Sequence, residues 1–164
     1  MKTHLFKTHN DIPEKARKEL IALLNQQLCD IIDLQAQAKQ AHWNVKGPSF
    51  IALHELFDKA YEEIDEFVDE IAERIVQLGG VALGTVRISA KHSRLAEYPL
   101  EISAGHDHVE AFSIALAAYG KSVRAAIDTA DDLKDADTAD LFTGVSRGID
   151  KLLWFVEAHG QSKE

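Results

Sequence analysis

Apolar residues recur at steps of three and four along four long stretches of the chain, which is the spacing of the buried face of an α-helix. The first stretch begins near Asp11 and Pro13, a capping residue and a helix-opening proline, and should end before Gly47. The second restarts at Pro48 and should end at Gly79–Gly80. Its apolar line consists of Phe57, Tyr61, Ile64, Val68, Ile71, Ile75 and Leu78. We therefore predict two long helices in the first half of the chain.

The second half of the chain carries the same helical period over about residues 106–132 and 138–158. Between the second and third helices, residues 79–105 contain four of the nine glycines and Pro99, so they should form the connection. This connection is long for a helical bundle, and we expect a short helix within residues 84–92. Because strand signals are nearly absent, the pattern predicts an all-α fold, a ferritin-like four-helix bundle with a short helix in the crossover between helices 2 and 3.

The length of 164 residues suits a single domain with a substantial core. We predict a short N-terminal tail over residues 1–12, the helical domain over 13–159 and a short C-terminal tail over 160–164. No run approaches the roughly 20 apolar residues that a membrane span needs, and no signal peptide opens the chain. We therefore expect a cytoplasmic protein with no membrane partner, with association with the nucleoid left open. The single cysteine, Cys29, excludes an internal disulfide and any cysteine-based metal site, and it should be buried.

Charge is unevenly distributed, although the net value of −9 is moderate. Residues 55–73 hold nine acids and one base, and residues 128–140 hold six acids and one base. The rest of the chain is therefore slightly basic. An acidic protein is a poor default candidate for binding nucleic acid, so the two acidic blocks indicate another kind of partner.

The first acidic block contains a line of metal-binding side chains at helical spacing on the second helix. It reads His54, Asp58, Glu62, Asp65, Asp69 and Glu73. Its ends are two i,i+4 pairs, His54 with Asp58 and Asp69 with Glu73, which are ligand types that suit iron, manganese or zinc. At about 1.5 Å rise per residue, Asp58 and Asp69 lie roughly 16 Å apart along the axis, too far for one straight helix to bind one ion with both pairs.

Two antiparallel copies of this helix remove that difficulty. Positions 54 and 73 have their midpoint at 63.5, and so do positions 58 and 69. A twofold axis at that point would bring each histidine-containing pair opposite the carboxylate pair of the other copy and generate two identical sites. The spacing predicts an intersubunit metal site, and the alternative is an ordinary solvated acidic face. A conventional site within one subunit would need Glu-x-x-His, and no histidine here has Glu three positions earlier.

Several blocks of the sequence resemble the signature of the Dps family, the DNA-binding proteins from starved cells. The blocks are 39–47, Phe50, 54–58, 69–74, 77–80, 82–85, 138–140, 146–147 and 150–155, which appear in the family's order. The resemblance implies a subunit built as a ferritin-like four-helix bundle, with twofold dimers assembling into a hollow homododecamer.

The resemblance also implies a function and a set of ligands. The family's ferroxidase pattern falls on His42, His54, Asp58, Asp69 and Glu73, and all five ligand types are intact. These residues would serve as both catalytic and metal-binding groups of a di-iron centre that oxidises Fe(II), preferentially with hydrogen peroxide, and deposits ferric mineral in the shell. Such an enzyme would protect DNA from oxidative damage. Zinc is a competing ion for the same ligands.

The second acidic block acquires a role through the same resemblance. The family's threefold pores are lined by aspartates near the start of the last helix, which here correspond to Asp140, with Asp135 and Asp137 beside it. The alternative is that Asp137 caps that helix. Trp43, next to the first ligand, is a candidate radical trap, with core or interface packing as the alternative.

DNA binding is the least supported property of the resemblance. Family members that bind DNA use lysine-rich tails, whereas the N-terminal tail here offers only Lys2 and Lys7 as weak contacts. We therefore expect DNA binding that is weak or absent at neutral pH and strongly salt-dependent. The competing function is a structural nucleoid protein that binds and compacts DNA. A separate metal site at His106 and His108 is disfavoured, because residues two apart on a helix point to different sides.

Overall fold

The computed structural model describes residues 4–161, and these residues form five α-helices and no strand. The helices are α1 Glu14–Asn44, α2 Phe50–Gln77, α3 Val86–His92, α4 Gly105–Asp132 and α5 Ala136–Glu157. The predicted all-α bundle with a short helix in its crossover is therefore confirmed. The third and fourth predicted long helices correspond to α4 and α5, and α3 is the crossover helix.

The bundle consists of two helical hairpins, α1 with α2 and α4 with α5, which enclose one apolar core. Phe57 and Ile64 of the apolar line of α2 are fully buried in that core, as are Leu24 and Leu28 of α1. Tyr61 and Val68 are partly exposed at its edge. Cys29 is fully buried, as expected.

A tight turn joins α1 to α2 and determines which of their residues are neighbours. Gly47 has φ of +113°, a conformation that side chains with a Cβ rarely adopt, and its carbonyl accepts from the Phe50 N–H at 3.0 Å. The neighbouring Lys46 bonds to the start of α4, donating to Ser103 O at 2.8 Å and accepting from Gly105 N at 3.1 Å. The ends of α1, α2 and α4 are thereby held together.

The structure corrects the details of the helix ends. Asp11 makes no capping hydrogen bond, and α1 begins after Pro13 rather than with it. The second helix begins at Phe50, two residues after Pro48, and its end at Gly79–Gly80 is confirmed because Gly79 has φ of +85°. Asp137 is not the cap of the last helix; that residue is Asp135, whose side chain accepts from the Thr138 N–H.

The described part of the N-terminal tail contacts the domain. The Phe6 N–H donates to Gly79 O at 2.8 Å, and Leu5 and Ile12 pack partly buried against the core. Residues 4–12 thus lie along the junction between the start of α1 and the end of α2, without forming a helix. Among the described residues, no helix combines the length and the apolar character needed to cross a membrane.

Candidate metal centre

His42 and His54 lie against each other across the α1–α2 turn. They stand at equal distances in sequence from Pro48, and antiparallel helices joined by a short turn bring such residues together. Their rings stack with centroids 3.6 Å apart and planes 21° from parallel. Each Nδ1 lies 2.8 Å from the backbone carbonyl oxygen of the other residue. The two imidazoles thus hold each other in place at the turn end of the α1–α2 hairpin.

The two carbonyl contacts determine which nitrogen of each ring carries the hydrogen. Because a carbonyl oxygen only accepts, each Nδ1 must carry the hydrogen, and in the neutral ring Nε2 is then left with its lone pair. A hydrogen bond of this kind on the second ring nitrogen is the usual way in which proteins orient a metal-binding histidine. Nε2 of His42 and Nε2 of His54 are therefore the ring nitrogens left available to bind a metal ion.

Asp58 lies one helical turn beyond His54 and close to His42. Its Oδ1 is 3.9 Å from His42 Nδ1 and forms an ion pair with the Lys39 ammonium. The hydrogen bond from Lys39 holds the pKa of the Asp58 carboxyl below its ordinary value. The carboxylate is thus ionised and already bonded to a cation.

Asp69 and Glu73 lie at the other end of the same line on α2, and both are exposed. Among residues 4–161, no three histidine, cysteine or carboxylate side chains of one subunit form a group that could hold a metal ion. The five sequence-predicted ligands therefore divide into two groups, with His42, His54 and Asp58 gathered at one end of α2 and Asp69 and Glu73 at the other. Each group is an incomplete donor set by itself.

Aromatic side chains border the histidine end of this line. Phe50 lies 5.1 Å from the His54 ring, and Trp43 is 69% exposed at the end of α1. Of the two packing alternatives for Trp43, burial in the subunit core is therefore wrong.

The three aspartates assigned to a pore are in different environments. Asp135 is 3% exposed, and its carboxylate accepts from Arg74 Nη2 at 2.8 and 3.0 Å and from the Thr138 side chain. Burial opposes ionisation of Asp135, but the hydrogen bonds from Thr138 and Arg74 outweigh it and lower the pKa. Asp137 and Asp140 are exposed. Asp135 is therefore accounted for as a buried helix cap, and Asp137 and Asp140 are the two with side chains open to ions.

The remaining candidates fall outside the site. His106 is exposed, whereas His108 is buried with its Nδ1 2.8 Å from Tyr98 Oη, so the two histidines do not converge. Lys7 is exposed, and Lys2 lies outside the described residues.

Sequence reasoning missed two residues that contact the candidate ligands or their neighbours. Lys39 precedes His42 by three positions, a helical spacing that places both on one face, and this signal could have found it. Arg74 follows Glu73 and donates hydrogen bonds to Asp135. The two residues are 61 positions apart, so no local sequence pattern indicates this contact.

The long bundle, the crossover helix and the imidazole–carboxylate line define a ferritin-like protein, and the ferritin-like domain family matches residues 21–162. A DNA protection during starvation protein of Agrobacterium fabrum is 48% identical over 163 residues, covering 99% of either chain. The chain belongs to the Dps family of ferritin-like proteins.

Solved structures agree with this assignment. DpsA14 from Streptomyces coelicolor superposes with a TM-score of 0.92 at 33% identity, over 98% of this chain and 96% of that one. Dps from Mycobacterium smegmatis in its tetragonal form gives a TM-score of 0.90 at 32% identity, over 95% of each chain. The likeness thus extends over nearly the whole chain.

Proposed function

We propose that this protein oxidises Fe(II) at centres shared by two subunits, preferentially with hydrogen peroxide, and stores the ferric product in a hollow shell of twelve subunits. Each centre uses His42, His54 and Asp58 of one subunit with Asp69 and Glu73 of the partner subunit. Membership of the Dps family supports iron storage and DNA protection as the general function. Zinc would compete for the same ligands.

The observation that carries this proposal is the division of the ligands along α2. The histidine group is oriented by backbone hydrogen bonds, and the carboxylate pair stands exposed about 16 Å away along the helix. A twofold axis at position 63.5 is the simplest operation that unites the two groups, and it does so twice.

The donor set suits the reaction. Carboxylates favour the harder Fe(III) product over Fe(II), while two imidazoles still bind the divalent substrate. Two Fe(II) ions give one electron each to one hydrogen peroxide, which takes up two protons and leaves as two water molecules. Because both electrons are delivered together, no hydroxyl radical is released near DNA. Trp43, exposed beside His42, is retained as a candidate trap for stray oxidising equivalents.

The test is anaerobic loading with Fe(II) followed by a peroxide pulse, comparing the native protein with His54→Ala/Asp58→Ala. We expect the double variant to lose rapid oxidation and to form little mineral. Glu66→Ala/Glu70→Ala is a matched control, because these exposed acids on α2 lie off the ligand line. Equal oxidation rates in the native protein and His54→Ala/Asp58→Ala would refute the assigned centre.

Iron entry is proposed to use Asp137 and Asp140, which are exposed at the start of α5. In a threefold pore each aspartate becomes a ring of three, and the resulting negative potential draws cations inward. Asp135 is left out of this proposal, because its carboxylate is already bonded to Arg74.

DNA binding is proposed to be weak or absent at neutral pH, since the described N-terminal segment adds only Lys7 to an acidic subunit. A gel shift at pH 7.5 and physiological salt should show no stable complex, and any complex at low salt should dissolve as salt is added. Tight binding under physiological conditions would instead favour the second candidate function, a structural nucleoid protein.

A further inference from the structure

Two large apolar side chains are exposed at the two ends of the ligand line on α2. Ile51 is 60% exposed and Val76 is 59% exposed. Ile51 lies three positions before His54, and Val76 lies three positions after Glu73. Exposed apolar residues that flank a functional line in this way are typical of a surface that is covered by a partner.

The two residues obey the same symmetry as the ligands. Positions 51 and 76 have their midpoint at 63.5, as do 54 with 73 and 58 with 69. In antiparallel α2 helices related by that twofold axis, Ile51 therefore faces Val76 of the partner subunit. An apolar residue meets an apolar residue at both ends of the line, and a histidine meets a carboxylate inside them.

The surface beside Val76 has a shape that fits an inserted side chain. An open depression of about 430 Å³ lies there, lined by Ala72, Glu73, Val76, Gln77 and Ala82. Most of this lining is small or apolar, while Glu73 on its wall is one of the proposed ligands. Ile51 lies at the opposite end of α2, and most of its surface is exposed in the subunit.

We propose that Ile51 of each subunit docks into the depression beside Val76 of the partner subunit. The occupant is thus a second copy of this chain, and the contact occurs twice across the axis. It fixes the register in which His54 and Asp58 face Glu73 and Asp69 of the partner subunit, and it excludes water from one side of each centre. Ile51 acts as a positioning residue, and the inference rests on the proposed function for the role of the register.

Cross-linking tests the register without iron. Ile51→Cys/Val76→Cys, treated with a short bifunctional maleimide, should give a covalent dimer on a denaturing gel. Ile51→Cys alone should not, because its two copies would lie roughly 37 Å apart along antiparallel helices. Ile51→Cys/Glu70→Cys is the register control, since these positions are not symmetric about 63.5. Cys29 is buried and present in every variant.

The proposal is overturned if the Ile51→Cys/Val76→Cys pair gives no dimer, or no more than the register control. Because this result is read without iron, it is independent of whether the centre oxidises Fe(II). Conversely, if the native protein did not oxidise Fe(II), the proposed function would be refuted, but the expected cross-link would be the same.

A second variant pair tests the effect on the centre. Ile51→Asp would place a carboxylate in the depression beside Glu73 of the partner subunit. We expect it to shift the assembly towards monomers and to slow peroxide-driven iron oxidation at least tenfold, with the helix content by circular dichroism unchanged. Ile51→Leu should retain the native assembly and rate. Native behaviour of Ile51→Asp in both measurements would overturn the proposal.

Discussion

Lys39 reaches across from α1 to Asp58, so its ammonium lies against a carboxylate that the proposed centre needs for iron. The same ammonium also lies 4.5 Å from the centre of the Tyr61 ring, a contact that helps hold it in place. Binding of a divalent cation must therefore displace this ammonium or share the carboxylate with it. If the proposed centre binds iron through Asp58, Lys39 should compete with the iron for that carboxylate.

Removal of that competitor should strengthen iron binding. A partly exposed ion pair contributes about 1 kcal/mol, so Lys39→Gln should bind Fe(II) about fivefold more tightly in an anaerobic titration. Lys59→Gln is the matched control. It also removes one positive charge, but the Lys59 ammonium lies near the Phe155 ring and not against Asp58. Equal affinities in the two variants would show that the ammonium does not compete.

The histidines show how far single residues could be predicted from the sequence. His54 was found from the period of α2 alone, whereas His42 required the family resemblance, because it lies on another helix. Its place opposite His54 depends on the tight turn at Gly47, and the hydrogen bonds that orient both rings use backbone carbonyls, which leave no residue pattern. Lys39 was missed because a lysine on a helix is ordinarily a solvated surface residue.

The buried ion pair between Arg74 and Asp135 should be important for stability. Breaking such a pair leaves an uncompensated buried charge, so Asp135→Ala should lower the free energy of unfolding by about 3 kcal/mol. The pKa of Asp135 lies below its ordinary value of 3.8, so this stabilisation is present above pH 3.8 and is lost as the pH falls through the lowered value.

Urea unfolding at fixed subunit concentration measures this effect. Asp137→Ala is the control, since it removes the same charge two residues away from a side chain that is 86% exposed. If the two variants unfold at the same urea concentration, the Arg74–Asp135 contact does not stabilise the fold.

At the level of helices, one glycine of α5 lies in close contact with α2. A Cβ at Gly148 would lie 2.3 Å from Phe67 Cζ, whereas a Cβ at Gly144 on the same helix would meet nothing within 4 Å. Gly148 thus allows the two helices to approach closely at this point, and Gly144 has no such role within the subunit.

The two glycines therefore predict opposite results. Gly148→Ala should lower the free energy of unfolding by roughly 1 to 3 kcal/mol, because the Phe67 ring must move out of its place. Gly144→Ala should be neutral or stabilise the protein by about 0.5 to 1 kcal/mol, because alanine favours the helix. Thermal unfolding followed by circular dichroism distinguishes the two. Equal melting temperatures would contradict the close approach.

The helices themselves were predictable because local signals agree with tertiary packing. The spacing of apolar residues, the glycines at helix ends and the lack of strand patterns predict the four long helices and the crossover helix. The alternative that Asp137 caps α5 is wrong, since Asp135 is the cap and Asp137 lies in the first turn of the helix. Asp135 is distinguished by the hydrogen bond that it accepts from the Thr138 N–H and by its close contact with Arg74, and the second of these has no local signal in the sequence.

At the level of the assembly, the proposed sharing of ligands makes an unusual prediction about mixed subunits. His54→Ala/Asp58→Ala lacks one half of the centre, and Asp69→Ala/Glu73→Ala lacks the other. In a twofold dimer of the two variants, one centre has all its ligands and the other has lost both pairs. Random pairing should then restore about a quarter of the centres.

Co-assembly of the two inactive variants, followed by a peroxide pulse on loaded Fe(II), tests this. Each variant assembled alone should be inactive, and the mixture should recover about a quarter of the native rate. A mixture that stays inactive while the shells contain both chains would refute a shared centre.

The buried ion pair between Arg74 and Asp135 lies between the two places where the protein is proposed to handle iron. Arg74 is adjacent to Glu73 in sequence, and Asp135 is two residues from Asp137, whose carboxylate lies 3.9 Å from the same guanidinium. One buried contact therefore links the helix end that carries the proposed pore residue Asp137 to the helix end that carries the proposed ligand Glu73. This ion pair would restrain movement of the start of α5 relative to the end of α2, which are the two parts of the subunit that carry these proposed sites.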